Sequence, residues 1–252
     1  MTPMTVPSAD ALAAADVFLG LLDAQAPGLV TAFHLVGSAV LDDWRPGTSD
    51  VDFVAVTAEP LTELQRQAIT AALLAYNRLP ARPPIEGEWM TVDDLTQAPQ
   101  TNPGVIALRT LDLHGFAVRG ERPAVIWRDA AAVRASILEN LDSYWTPWLR
   151  RARRLLTPLG IMMLDGWAPS GGVLGVARLA YTLETGDIAS KNRAGRWALG
   201  RFPKHRRILL EALRLRTGEG EAGYRSRFPR KREALAAMAD IMAACRVSRS
   251  AS

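Results

Sequence analysis

The chain has 252 residues, of which 48% are hydrophobic and 22% charged, and its formal net charge at pH 7 is +4. This composition is typical of a soluble globular protein with one large domain or two modest ones. No run of 18 apolar residues is present and the N-terminal region lacks a basic segment, so we expect no membrane-spanning helix and read the N-terminal region as an amphipathic helix rather than a signal peptide. The single cysteine, Cys245, excludes an internal disulfide and a thiolate metal site, so we expect a cytoplasmic protein with no membrane partner.

The apolar pattern of the first half predicts a mixture of helices and strands. In chain order we expect a helix at 9–25, a strand at 30–36, a turn leading into a short helix at 37–43, a strand at 51–57, a helix at 61–78, a strand within 82–95, and a helix followed by a turn within 102–120. Side chains alternate between the two faces of the third strand, which places Glu86, Glu88 and Met90 on one face.

The second half of the chain loses β-branched residues and becomes rich in Arg, Leu, Ala and Trp. Its pattern predicts helices at about 130–157, 171–185, 190–200, 204–215 and 229–246. We therefore predict an α+β fold with two domains: residues 1–147 form a mixed sheet with helices, and residues 148–252 form an all-α domain.

Charge is distributed unevenly between the two halves. Residues 1–125 contain 7 Lys and Arg against 15 Asp and Glu, whereas residues 126–252 contain 23 against 11. This asymmetry suggests an acidic half that holds metal ions and a basic half that holds an anion. The alternative interpretation of the second half is an arginine-rich helical surface in contact with solvent.

Two aspartates stand at the start of the second expected strand, although aspartate is a poor strand former. If both belong to the strand, Asp50 and Asp52 point to one face with their Cα atoms about 7 Å apart. Carboxylates that close repel each other unless a cation neutralises both, and such an all-oxygen site suits Mg²⁺ or Mn²⁺. The alternative is a turn centred on the first aspartate, with the second at a strand edge.

Gly37 and Ser38 follow the first expected strand. Glycine lets the backbone approach a phosphate closely, and the N–H groups of the helical turn that follows point towards the anion. Together with the two aspartates, this pair indicates phosphoryl transfer in which metal ions hold the attacking and leaving oxygens.

These four residues resemble the GS-x(n)-D-x-D signature of the DNA polymerase β-like nucleotidyltransferase superfamily. Two further segments, 85–95 and 173–203, resemble the streptomycin/spectinomycin adenylyltransferase family, including its helical C-terminal domain. The motif elements of that domain stand at Ala177–Arg178, Thr185–Gly186, Ile188–Ala189, Lys191, Trp197–Ala198 and Pro203.

The resemblance implies an N-terminal nucleotidyltransferase domain and an antibiotic-resistance enzyme that depends on Mg²⁺. Such an enzyme transfers AMP from ATP to a hydroxyl of an aminoglycoside-like small molecule and releases pyrophosphate. By the same resemblance, Asp50 and Asp52 hold the metal and act in catalysis, while Ser38, with Gly37 beside it, helps to hold the triphosphate.

Three further site residues follow from the same match. Arg178 and Lys191 correspond to the arginine and lysine that bind the triphosphate, so we expect both halves of the chain to contribute to ATP binding. Glu86 corresponds to the catalytic base. Glu88 is the second candidate, because strand alternation points it the same way.

The chain departs from the family where that family contacts the antibiotic through an aspartate and a histidine. Ala168 and Gly171 stand at those positions, so the acceptor is left open. AMP transfer to a protein or RNA acceptor and a non-catalytic ATP-binding regulatory module remain alternatives, although no interleaving of aromatic and basic residues indicates nucleic acid. Three tryptophans either pack in the core or line the acceptor pocket: Trp145, Trp148 and Trp167.

Overall fold

The computed structural model describes residues 6–99 and 101–247, and the chain divides into two units, Met1–Asp129 and Ala130–Ser252. The elements of the first unit are α1 (Ala9–Gln25), β1 (Val30–Leu35), a 3₁₀ turn (Gly37–Ala39), β2 (Val51–Thr57), α2 (Glu63–Asn77), β3 (Ile85–Thr91), α3 (Asn102–His114) and β4 (Phe116–Arg119). The helices and strands predicted up to α3 are present. The strand β4 lies where the sequence predicted a turn.

The four strands form one mixed sheet in the order β3-β2-β1-β4. Strand β1 pairs antiparallel with both β2 and β4, whereas β2 and β3 are parallel and are joined through α2. The predicted mixed sheet is therefore confirmed. Strand β4 is a short edge strand, and its pairing with β1 brings Ala117 opposite His34. It has four residues, which is too short for an alternating pattern to predict a strand.

Each face of this sheet has its own apolar core, because side chains alternate along every strand. On the face covered by α1 and α2, Phe33 and Phe53 stack with their ring centroids 4.6 Å apart. On the opposite face, Val54 and Val56 pack with Leu108 of α3. Polar residues at even-numbered positions of β2 and β3 belong to this second face.

A glycine in β3 allows the first of these cores to pack closely against the sheet. A Cβ atom at Gly87 would lie 2.2 Å from the carbonyl oxygen of Phe53 and 2.6 Å from its ring carbon Cγ. Gly87 is also the residue paired with Phe53 across the parallel strands. Only glycine fits this position, and its fit fixes how β3 lies against β2.

The described part of the second unit consists of helices and their connections. These are α4 (Ala130–Asn140), a π-helical turn (Leu141–Trp145), α5 (Thr146–Arg153), α6 (Pro158–Met162), α7 (Trp167–Thr185), α8 (Lys191–Arg201), a 3₁₀ turn (Pro203–His205), α9 (Arg206–Thr217) and α10 (Arg227–Val247). The helical second half is thus confirmed. None of the helices in residues 6–99 and 101–247 combines the length and the apolar character needed to cross a membrane.

The single helix expected at 130–157 is wrong in detail. The π-helical turn interrupts it, α5 ends at Arg153, and the separate helix α6 follows. Pro147 and Pro158 lie in the first turns of α5 and α6, where a residue without an N–H group is tolerated. The apolar spacing continues through the starts of α5 and α6, so a periodicity analysis predicts one helix there.

Helix α7 is the central helix of the second unit, and two of its glycines accommodate tryptophan rings. A Cβ at Gly175 would lie 2.4 Å from the Trp145 ring, and one at Gly172 would lie 2.9 Å from the Trp148 ring. Both tryptophans therefore pack against the core of the second unit. The third, Trp167, is 66% exposed at the start of α7.

The division between the units falls after Asp129, whereas the sequence placed the domain boundary at 147. Leu141, which lies between these two positions, is fully buried in the core built around α7. The segment before 147 thus packs with helices that follow it in the chain.

Candidate functional site

The two aspartates of the signature occupy different backbone environments. Asp52 is the second residue of β2 and is partly buried, whereas Asp50 precedes β2 and is exposed. The strand predicted at 51–57 is confirmed, and the expectation that placed Asp50 on the same strand face as Asp52 is corrected, because Asp50 lies outside β2. Asp50 belongs to the loop that precedes β2.

The Gly37–Ser38 pair lies directly beside Asp52. The backbone N–H of Val36 donates to the carbonyl oxygen of Asp52 at 2.9 Å, which holds the end of β1 against the start of β2. Gly37 then adopts a φ of +62°, and a Cβ atom there would lie 1.9 Å from Asp52 Oδ2. The Asp52 carboxylate thus rests against the Cα of Gly37, at the start of the 3₁₀ turn that contains Ser38.

The two candidate bases lie on the face of the sheet to which Asp52 belongs. In the parallel pairing of β2 with β3, Glu86 is opposite Asp52 and Glu88 is opposite Val54. Neighbouring strands are about 4.8 Å apart, so the side chains of Asp52 and Glu86 leave the sheet next to each other. Glu86 is exposed and Glu88 is half-buried, and burial raises the pKa of the Glu88 carboxyl.

The oxygen donors of this site suit a hard divalent cation. Asp50 and Asp52 present carboxylates within one short segment, and Mg²⁺ is often held by one or two carboxylates, with water and substrate phosphates completing its shell. In residues 6–99 and 101–247, no three Asp, Glu, His or Cys side chains form a metal-ligand group. The donor set therefore fits a metal that binds together with a nucleotide better than a closed structural metal site.

His34 lies in the same sheet, between Ala117 of β4 and Val54 of β2. Its side chain is fully buried, and neither ring nitrogen has a hydrogen-bond partner in the described part of the chain. Burial, and then the nearby Arg122 guanidinium, lower the pKa of the imidazole to about 4.

We expect this histidine to make the first unit sensitive to acid. The unfolded chain binds a proton with a pKa near 6.5, whereas the folded chain resists protonation down to about pH 4. The free energy of unfolding should therefore fall as pH falls through this window, by about 3 kcal/mol at its lower end. Thermal unfolding at pH 7 and pH 4.5 measures the effect, and His34→Leu should flatten it. An equal pH dependence in both proteins would contradict this account.

In the second unit, the two expected phosphate-binding residues come together at the start of α8. Arg178 of α7 donates from Nε to the carbonyl oxygen of Ala189 at 3.0 Å. Lys191, two residues further on, is the first residue of α8, and Ser190 caps the helix by accepting from the N–H of Arg193. The Arg178 guanidinium therefore lies near the N-terminus of α8, and a cationic group beside a helix N-terminus favours an anion.

The positions at which the family contacts its antibiotic carry no polar side chain in this structure. Ala168 is 1% exposed in the first turn of α7, and a Cβ at Gly171 would have no atom within 4 Å. An acceptor near this helix end would find open space at Gly171 rather than a carboxylate or an imidazole.

Two family models match the chain, in the order that the sequence predicted. The nucleotidyltransferase domain matches residues 19–84, and the aminoglycoside adenylyltransferase C-terminal domain matches residues 164–244. A solved structure, spectinomycin adenyltransferase AAD(9) from Enterococcus faecialis with ATP and spectinomycin, matches with a TM-score of 0.65 and 16% identity. This match covers 90% of this chain and 98% of that chain, and it shows a shared fold. The chain is an aminoglycoside adenylyltransferase-like nucleotidyltransferase.

Proposed function

We propose that the protein transfers AMP from ATP to a hydroxyl group of an aminoglycoside-like small molecule and releases pyrophosphate. The observation that carries this proposal is the pairing of Asp52 with Glu86, next to the Gly37–Ser38 turn. A carboxylate suited to a metal and a carboxylate suited to the role of base then stand on paired residues of neighbouring strands, and the first of them lies against a backbone turn suited to phosphate. The match of residues 164–244 to the C-terminal domain of aminoglycoside adenylyltransferases supports the acceptor class.

In this proposal Asp50 and Asp52 hold Mg²⁺, which when bound neutralises charge on the phosphate oxygens and on the attacking oxygen. Gly37 and Ser38 contact the triphosphate through the 3₁₀ turn. Glu86 accepts the proton of the acceptor hydroxyl. The acceptor oxygen forms a bond to the α-phosphorus of ATP, the bond from that phosphorus to the bridging oxygen breaks, and pyrophosphate leaves.

The direct test is incubation of the full chain with labelled ATP, MgCl₂ and a panel of aminoglycosides, followed by mass spectrometry. The expected product is an antibiotic heavier by one AMP moiety, with one equivalent of pyrophosphate. A parallel incubation without acceptor reports ATP consumption that is unrelated to transfer. The absence of an adduct with every member of the panel, or an adduct only on the protein itself, would overturn the proposal.

We expect Arg178→Ala to weaken ATP binding by about 1–3 kcal/mol, the scale of a hydrogen bond to a charged group. The lost guanidinium removes a planar pair of donors to phosphate oxygens. ATP affinity is measured by calorimetry in the presence of MgCl₂, and the matched control is Arg196→Ala, an exposed arginine on α8. Equal ATP affinities of the two variants would remove Arg178 from the nucleotide site.

We expect Gly37→Ala to lower the transfer rate at least tenfold, because the new Cβ would collide with the Asp52 carboxylate at 1.9 Å. Gly47→Ala is the matched control, since Gly47 also has a positive φ, +75°, but a Cβ there would have no atom within 4 Å. Both variants carry about 1–2 kcal/mol of left-handed backbone strain. The transfer rate should separate them, and a similar loss in both would show that strain alone is responsible.

A further inference from the structure

Burial increases along one face of β3, and Glu88 lies at the intermediate position. On the face shared with Asp52, the residues of this strand are Glu86, which is exposed, Glu88, which is half-buried, and Met90, which is 7% exposed in the core. Opposite Glu88 on the neighbouring strand is Val54, which is fully buried. The carboxylate of Glu88 therefore lies at the point where the candidate site meets the apolar core.

The second feature of Glu88 is that its carboxylate is unpaired among residues 6–99 and 101–247. In the part of the chain that the structure describes, no hydrogen bond or ion pair reaches Glu88. Burial is the cause of its raised pKa. Withdrawing a carboxylate from water is unfavourable unless a cation compensates, so an unpaired acid at this depth is a place for a positive group.

The reaction already has residues for its other charged roles. In the proposed function Asp50 and Asp52 hold the metal, and Glu86 takes the proton. Glu88 is displaced from Glu86 by two residues, or about 7 Å, along the strand towards the core. It is therefore placed to touch the acceptor at a second point rather than at the reacting hydroxyl.

We propose that Glu88 is a specificity residue that binds a protonated amino group of the acceptor. This inference rests on the proposed function, because it assumes that Glu86 faces the reacting hydroxyl. It names the acceptor chemistry: a polyhydroxylated molecule with an ammonium group about 7 Å from the hydroxyl that receives AMP. It also supplies an anionic contact in a protein in which Ala168 and Gly171 provide none.

The experiment separates acceptor binding from chemistry. Acceptor affinity is measured by calorimetry in the Glu86→Gln protein with ATP and MgCl₂, using spectinomycin, streptomycin and kanamycin. The neutral comparison ligands are the fully N-acetylated forms of spectinomycin and kanamycin, in which every amino group has become an uncharged amide. Adding Glu88→Gln should weaken binding of the cationic forms at least tenfold and leave the neutral N-acetylated forms unchanged. The matched control is Glu63→Gln, an exposed glutamate at the start of α2, which covers the opposite face of the sheet.

In steady-state assays Glu88→Gln should raise the acceptor KM at least tenfold, keep kcat within about threefold, and leave the ATP KM and the Mg²⁺ dependence unchanged. Glu88→Asp, which keeps the charge, should restore part of the acceptor affinity. An unchanged acceptor KM, a large fall in kcat alone, or an altered Mg²⁺ dependence would each overturn this role. If wild-type protein with ATP and MgCl₂ binds none of the three aminoglycosides, the proposed function fails, and this inference fails with it.

A second measurement needs no acceptor. Because Glu88 is half-buried without a partner, the empty protein should gain stability when its charge is removed. The melting temperature of Glu88→Gln at pH 7 should therefore be above that of the wild type, whereas Glu63→Gln should leave it unchanged. A clear decrease in the Glu88→Gln melting temperature would mean that the carboxylate has a structural partner, and the inference would be wrong.

Discussion

Asp52→Asn is expected to leave the protein folded and to lower the rate of AMP transfer by about a thousandfold. Asparagine keeps the size of the side chain and its fit against Gly37, where a Cβ would already be 1.9 Å from Asp52 Oδ2. In the proposed mechanism the substitution removes a negative charge that would hold Mg²⁺, so the charge on the phosphate oxygens would be left uncompensated. Transfer is measured as pyrophosphate released per enzyme with ATP, MgCl₂ and a reactive acceptor.

A control in the loop before β2 distinguishes loss of charge at the site from loss of charge in general. Asp42→Asn removes an exposed carboxylate at a residue with φ of 53°, a conformation that asparagine also tolerates. This variant should keep near-wild-type activity. Turnover of Asp52→Asn close to that of Asp42→Asn would refute the assignment of Asp52 as a metal ligand.

Glu86→Gln is expected to separate binding from chemistry. Glutamine preserves the shape of an exposed side chain opposite Asp52, so ATP affinity measured by calorimetry should stay at the wild-type value. Without a base to accept the hydroxyl proton, turnover should fall by about 10²–10⁴. The same two measurements on Glu88→Gln decide between the two glutamates.

If Glu88→Gln shows the large loss of kcat and Glu86→Gln does not, the proton acceptor is one step further along β3. If both keep wild-type turnover, neither glutamate is the base. The geometry favours Glu86, because its strand partner is Asp52, whereas the partner of Glu88 is the fully buried Val54.

Most of the fold could be predicted because its elements have strong local signals. Helix α2 begins with a capping box formed by Thr62 and Gln65, and β2 is a run of apolar and β-branched residues. The pieces that were missed lack such signals. Strand β4 has four residues and exists through its pairing with β1, and the five-residue helix α6 follows a break that the apolar pattern does not mark.

The candidate site likewise has a part that the sequence could predict and a part that it could not. The Gly37–Ser38 and Asp50/Asp52 motif lies within one short segment, so sequence alone could indicate it, and the strand predicted at 51–57 coincides with β2. The role of Glu86 as base was inferred from family resemblance. Its pairing with Asp52 joins residues far apart in the chain and was not predicted. In the described part of the chain, the His34 ring nitrogens lack hydrogen-bond partners. This property depends on the positions of all surrounding residues, so no local sequence pattern predicts it.

The parallel pairing of β2 with β3 has a consequence for how such an enzyme can diversify. The relative placement of Asp52 and Glu86 is set by backbone hydrogen bonds and by the close fit of Gly87 on Phe53. Substitutions at Glu88 can therefore retune acceptor preference without moving the reacting groups. A single-residue insertion or deletion between β2 and β3 that shifts this register would instead place Glu86 and Glu88 on the face of the sheet that packs in the aromatic core. Length changes in the α2 crossover should thus be rare among active relatives, while substitutions at Glu88 should be common.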